Sequence, residues 1–280
     1  MKNYLLGLYE KAMPSDWDWA KKLETAGAKG FDYVEMSVDE TDAKLARLDW
    51  TQQERRDFVH LSADRLPVTS ICLSGHRKYT IGSHIPEIRA KGMEIMENAI
   101  CFAHDIGVRI IQLAGYDVYY NETSDEESKK LFTENLAKSA HMASAYGVIL
   151  ALETMENDFM NTTAKAMEYV NKINSPYLGV YPDTGNICNA TKDPVGDLHT
   201  GRGHIFSAHF KETVPGVFRN MMYGDGQVNF EEISTALLEM NVRRFTAEFW
   251  HLEGRDPYKD MEYASSFFHT LLENKYLQGD

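Results

Sequence analysis

Short apolar runs recur along the chain, each bounded by turn residues and each followed by a longer stretch with helical spacing of its apolar positions. The runs fall at residues 4–9, 33–38, 68–73, 109–114, 148–153, 178–181, 205–210 and 245–249. Continuous rather than alternating hydrophobicity predicts strands covered on both faces, as in a parallel sheet under helices. The intervening helices carry start and stop signals. Ser15 is placed to cap a helix that ends near Gly27, and Thr51 with Glu54 has the spacing of a capping box for a helix that runs to Pro67. Ser83 with Pro86 opens a long helix that stops near Gly107, and Ser124 with Glu127 opens another that ends at Gly147. Further helices are expected over about 161–173, after Asn229, and from Pro257 to about 276; the stretch 190–203 reads as a short or irregular helix.

Eight strands alternating with helices, many closing on a glycine, predict a (β/α)8 barrel, the TIM-barrel member of the α/β class. An open doubly wound sheet is the alternative, but its glycine-rich turn after the first strand is missing, since LYEKAMPSD contains no glycine. A Walker-type phosphate loop is absent too. No cluster of Pro and Gly marks a boundary, so residues 1–280 are expected to form a single domain.

Composition narrows the partners. With 43% hydrophobic and 25% charged residues the chain has an ordinary globular balance. A net charge of −13, from 29 Lys and Arg against 42 Asp and Glu, argues against nucleic acid and anionic membranes, while leaving room for a small anionic substrate. Cys72, Cys101 and Cys188 form no C-x-x-C pair and read as reduced thiols. Glu10 and Lys11 interrupt the first apolar run before it reaches signal-peptide length, and no stretch approaches the ~18 apolar residues of a membrane span. The expected location is cytoplasmic, and a homodimer is compatible with the sequence.

The ends of strands five to eight carry the candidate chemistry: Glu153 in LALE, Asp183 in VYPD, His209 in SAH and Glu248 in TAE. In a closed barrel, consecutive carboxyl ends face one small volume. Three carboxylates crowded there repel one another, and a divalent cation removes that penalty. A donor set of three oxygens and one nitrogen suits Mn²⁺, Mg²⁺, Co²⁺ or Zn²⁺ without selecting among them.

This order of ligands, together with YVEMSVDET, ICLSGHRK, IQLAGYDVYY, LALETM and YPDTGN, resembles the xylose-isomerase-like barrels, a superfamily of sugar-phosphate isomerases and epimerases. Within it the chain is most similar to the epimerases of ketopentose 5-phosphates, and the resemblance spans nearly its whole length. It implies reversible inversion at C3 of a ketopentose 5-phosphate, in the breakdown of ascorbate and related pentoses. By the same resemblance Glu153 and Glu248 are both ligands and opposed acid/bases, whereas Asp183 and His209 are ligands only. The C3 proton lies beside a carbonyl, so its removal gives an enediolate that positive charge stabilises. Related ketohexose epimerases carry a His three positions after the ligand Asp, where this chain has Asn186, and an Arg after the ligand His, for which Arg219 is the nearest match.

For the phosphate, His76, Arg77 and Lys78 form the best cationic cluster, with Lys211 and Arg219 behind it. Tyr116, Tyr119 and Tyr120 are candidates to wall the pocket; Glu35, Glu156 and Trp250 are further residues at the mouth. The readings that stay open are another sugar isomerase or epimerase of the superfamily and a non-catalytic sugar-phosphate-binding protein. A repair endonuclease is disfavoured by the charge.

Overall fold

The computed structural model describes residues 3–276, and in them the alternation closes into a ring. The strands are β1 (Leu5–Tyr9), β2 (Tyr33–Val38), β3 (Val68–Leu73), β4 (Ile110–Ala114), β5 (Ile149–Glu153), β6 (Leu178–Tyr181), β7 (Ala208–Phe210) and β8 (Arg244–Ala247). They pair in parallel from β1 through β6, β8 returns to β1, and β7 lies beside β8. Between β6 and β7 there is no continuous ladder, only isolated parallel bridges, Val180 with Ile205 and Asp183 with His209. The expected TIM barrel is the observed architecture.

Around it run α1 (Trp19–Ala28), α2 (Asp42–Leu45), α3 (Gln52–Ala63), α4 (Pro86–Asp105), α5 (Glu126–Tyr146), α6 (Thr163–Ile173), α7 (Thr184–Ala190), α8 (Pro194–Thr200), α9 (Phe230–Glu239) and α10 (Pro257–Tyr276). The Thr51–Glu54 capping box, the Asn229 cap and the left-handed Gly147 at the end of α5 are all present. Three expected caps move. A turn closed by Trp17 N–H on the Pro14 carbonyl delays α1, and Asp18 rather than Ser15 caps it. Ser124 donates to the buried Asp117 carboxylate at 2.6 Å, which leaves Asp125 and Ser128 to form the capping box of α5. Ser83 binds Glu122 at 2.6 Å, so α4 starts at Pro86, whose missing N–H needs no cap. The weakly patterned 190–203 resolves into the end of α7 and the separate α8, capped by Asp193.

Within each strand a period of two sorts the side chains. Leu6, Leu8, Val34, Met36, Ile71, Leu73, Ile111, Leu113, Leu150, Leu152, Val180, Phe210 and Phe245 belong to the main apolar core that the helices cover. The alternate set is largely polar: Glu35, Ser70, Gln112, Glu153 and His209 are buried and hydrogen-bonded across the ring, and the Tyr181 hydroxyl links Glu35 to the buried Thr246. Gly7 keeps this interior closed, because a Cβ there would lie 2.2 Å from the Tyr33 ring that covers it. A fully buried strand therefore hides two different faces, one apolar and one wired. Among the described residues no helix is long and apolar enough to cross a membrane.

Candidate active site

The polar interior ends in a cluster at the carboxyl rim. Glu153 is the last residue of β5, Glu248 follows β8, His209 is the centre of β7, and Asp183 lies two residues beyond β6. Asp183 also caps α7, its Oδ1 accepting from Asn186 N–H at 2.7 Å, which aims Oδ2 away from the helix. One donor atom from each of these four buried residues lies within 4.8 Å of all the others. His209 Nδ1 is 2.6 Å from Glu153 Oε1 and 3.2 Å from Glu248 Oε2. Gln112 Nε2 donates to the other oxygen of Glu153.

Burial raises the Glu153 carboxyl, against the pull of His209, and holds Asp183 well above the usual carboxylate range, against the pull of Lys211. Glu248 goes the other way: although burial opposes it, His209 and Lys211 hold its carboxyl well below that range. The His209 ring, despite burial, is pushed well up by Glu248, Glu35 and Glu153. Glu248 Oε2 and Asp183 Oδ2 are buried and accept no aligned hydrogen bond, although His209 and Lys211 stand near them as ion-pair partners. Buried oxygens turned to a common centre, in a set of hard oxygen donors and one imidazole, fit a divalent metal ion. Glu153, Asp183, His209 and Glu248 are thus a buried group able to hold one.

Above the cluster opens a cleft of about 440 Å³, with Glu153, Glu248, Asn186 and Lys211 in its floor and Arg77, Arg219 and Lys11 among its lining residues. Lys211 is buried and belongs to the cluster, not to the rim where a phosphate cation was expected: its ammonium lies 2.8 Å from both Asp183 Oδ2 and Asn186 Oδ1. The structure does not bring His76, Arg77 and Lys78 together: they fall on a short 3-10 turn, Gly75–Arg77, and the residue after it, and their side chains part. His76 is buried with Nε2 3.0 Å from the Gly92 carbonyl, and burial pushes its imidazole down to about 4, so it presents no cation to the cleft. Lys78 lies over the Tyr79 ring and lines a different surface hollow. Only Arg77 of the three reaches the cleft, stacked on Tyr116 and Tyr119, which both donate to Glu156.

Arg219 reaches the cleft as well, its guanidinium 5.4 Å from the Trp250 ring. Tyr119, Glu156 and Trp250 line it, whereas Tyr120 is 59% exposed and faces the neighbouring hollow. Glu35 lies beneath His209 and is not among the lining residues. The structure adds residues to the site: Gln112 through its bond to Glu153, and Lys11, Tyr9 and Cys72 as lining of the cleft. Gln112 had a signal, a lone amide in the otherwise apolar IIQLA; Lys11 had none, since the turn after β1 that carries it to the rim has no apolar period.

The xylose isomerase-like TIM barrel family matches residues 23–268. L-ribulose-5-phosphate 3-epimerase UlaE of Salmonella paratyphi A is 44% identical over 258 residues, 91% of this chain and 90% of its own length. The protein of the same name from Escherichia coli O139:H28 is 43% identical over the same span. Among solved structures, D-psicose 3-epimerase from Clostridium cellulolyticum H10 superposes with a TM-score of 0.83 at 17% identity, over 96% of this chain and 99% of that one. An L-ribulose 3-epimerase gives 0.80 at 20% identity, over 97% and 95%. At these identities the structural matches speak to the fold alone.

Proposed function

The chain belongs to the xylose isomerase-like TIM-barrel family and is a carbohydrate epimerase, and from that premise we propose that it inverts C3 of a ketopentose 5-phosphate, interconverting L-ribulose 5-phosphate and L-xylulose 5-phosphate. One observation carries the reading: Glu153 and Glu248, on strands three apart in the ring, converge on the same cleft floor beside Asp183 and His209. A divalent ion held by these four residues would supply positive charge that stabilises the enediolate and so acidifies the C3 proton.

The chain's own groups do the rest. One glutamate takes the C3 proton from its face of the sugar, and the other, in its carboxylic acid form, returns a proton from the opposite face. The roles exchange in the reverse direction, as an epimerisation requires. Lys211 holds the Asp183 carboxylate in place and ties Asn186 to it, so the Asn186 side chain is fixed where it borders the cleft. Arg77, with Arg219 and Lys11, gives the cleft cations for the 5-phosphate.

The test is incubation with L-ribulose 5-phosphate and Mn²⁺ in D₂O, followed at C3 by NMR. L-xylulose 5-phosphate carrying deuterium at C3 is the expected product. Conversion with no solvent label would remove the two-glutamate mechanism, and label at C1 would make the protein an aldose–ketose isomerase.

A further inference from the structure

One ionisable side chain of the barrel interior has no part in the chemistry above. Glu35, in the middle of β2, has 0% exposure, and a carboxylate left uncompensated at such a depth costs several kcal/mol. Its compensation is specific. Oε1 lies 2.5 Å from His209 Nε2, while Oε2 accepts from Ser70 Oγ and from the Tyr181 hydroxyl, each at 2.8 Å. The Tyr181 hydroxyl is also 2.8 Å from Thr246 Oγ1, which is 2.9 Å from the Tyr33 hydroxyl, so the carboxylate is braced from β3, β6 and β8 together.

His209 links this brace to the site. Its two ring nitrogens point in different chemical directions, Nε2 to Glu35 and Nδ1 to the oxygens of Glu153 and Glu248. Nδ1 shares a proton with Glu153 at 2.6 Å; with that proton given up and the other kept on Nε2 by Glu35, the Nδ1 lone pair is directed at the volume the three carboxylates surround. An anionic acceptor also makes the imidazole a stronger donor ligand than a neutral one does. The Tyr181 ring, edge-on at 4.8 Å, and the Tyr9 ring at 6.1 Å restrict rotation of the imidazole.

We propose that Glu35 is a positioning residue for the metal centre, fixing His209 in the tautomer and ring orientation that turn Nδ1 toward a divalent ion. The proposal rests on His209 being a ligand, and Glu35 acts only through it, since Glu35 does not line the cleft. Calorimetric titration of metal-stripped protein with Mn²⁺ tests it, comparing the wild type with Glu35→Gln, which keeps the volume and an acceptor but loses the charge. The expected result is affinity weaker by about ten- to a hundredfold, with circular dichroism unchanged. Equal affinity overturns the proposal, whereas a wild type that binds no Mn²⁺ removes the metal reading on which it stands. Should the variant misfold, the wild type decides alone: with ¹⁵N-labelled histidine and saturating Zn²⁺, the His209 signal, identified by its loss in His209→Gln, should carry its proton on Nε2. A proton on Nδ1 overturns the proposal.

Discussion

Two knots of buried charge lie in this barrel, and they are built in opposite senses. Glu10, directly after β1, is a single carboxylate met by Lys22 at 2.9 Å, Lys44 at 2.6 Å and Arg47 at 2.6 Å, with Ser37 N–H donating to it as well. At the ends of β5, β6 and β8 three carboxylates gather around the His209 ring and the Lys211 ammonium. The first knot is answered by the chain itself: it straps α2 and the turn after it to β1 and β2. The second is left short of positive charge and opens on the cleft. Burial costs are the same in kind at both, so the difference in compensation separates a part that holds the fold from a part that holds a ligand.

That contrast is broken most severely by removing a base. Glu153→Gln and Glu248→Gln are each expected to lower kcat by about a thousandfold or more, measured as C3 proton exchange, while circular dichroism stays that of the folded barrel. Near-normal exchange in either variant would take that residue out of the acid/base pair. In the other knot the same change should act on stability and leave the chemistry alone. Glu10→Gln leaves three cations facing a neutral amide and is expected to cost about 3–5 kcal/mol in urea unfolding at pH 7.

The sign of its pH dependence follows from the direction of the shift. Despite burial, Arg47, Lys44 and Lys22 hold the folded Glu10 carboxyl well below its ordinary value of about 4.5. Its contribution is therefore complete above that value and is lost as the pH falls below it, so the gap between wild type and variant should narrow in acid. A gap that stays constant would mean that Glu10 acts by shape and not by charge. The smallest effect belongs to the rim. Arg77→Leu should raise KM for the phosphorylated ketose by about ten- to a hundredfold, the worth of one or two charge-assisted hydrogen bonds. An equal loss with the unphosphorylated ketose would assign Arg77 to bracing Tyr116 and Tyr119 instead.

The ring of strands was legible because its signals are local. Tyr33–Val38, Val68–Leu73 and Leu178–Tyr181 stand in the structure with the limits their apolar runs suggest, and the Thr51 box needs only four adjacent residues. The four rim residues were legible for the same reason, each being an ionisable group at or near the end of an apolar run in a fold whose ends converge. What failed depended on partners far away in sequence. Ser124 left its cap for Asp117, and His76 turned toward Gly92 on α4. Glu10 served the sequence reading only as an interruption of an apolar run, because Lys44 and Arg47 lie 34 and 37 positions on. Three adjacent basic letters suggest one patch, yet on a 3-10 turn they leave the backbone about a third of a turn apart.

The gap in the ladder between β6 and β7 gives the cluster a mechanical character. The backbone crosses that junction through Val180 N–H to the His204 carbonyl, Phe206 N–H to the Val180 carbonyl and His209 N–H to the Pro182 carbonyl. Asp183 and His209, paired by one of the isolated bridges, stand on opposite lips of it. A ligand joining their side chains would also sew this seam of the cylinder, so that opening the seam would dismantle the donor set, and a cation held between them would work as a rivet.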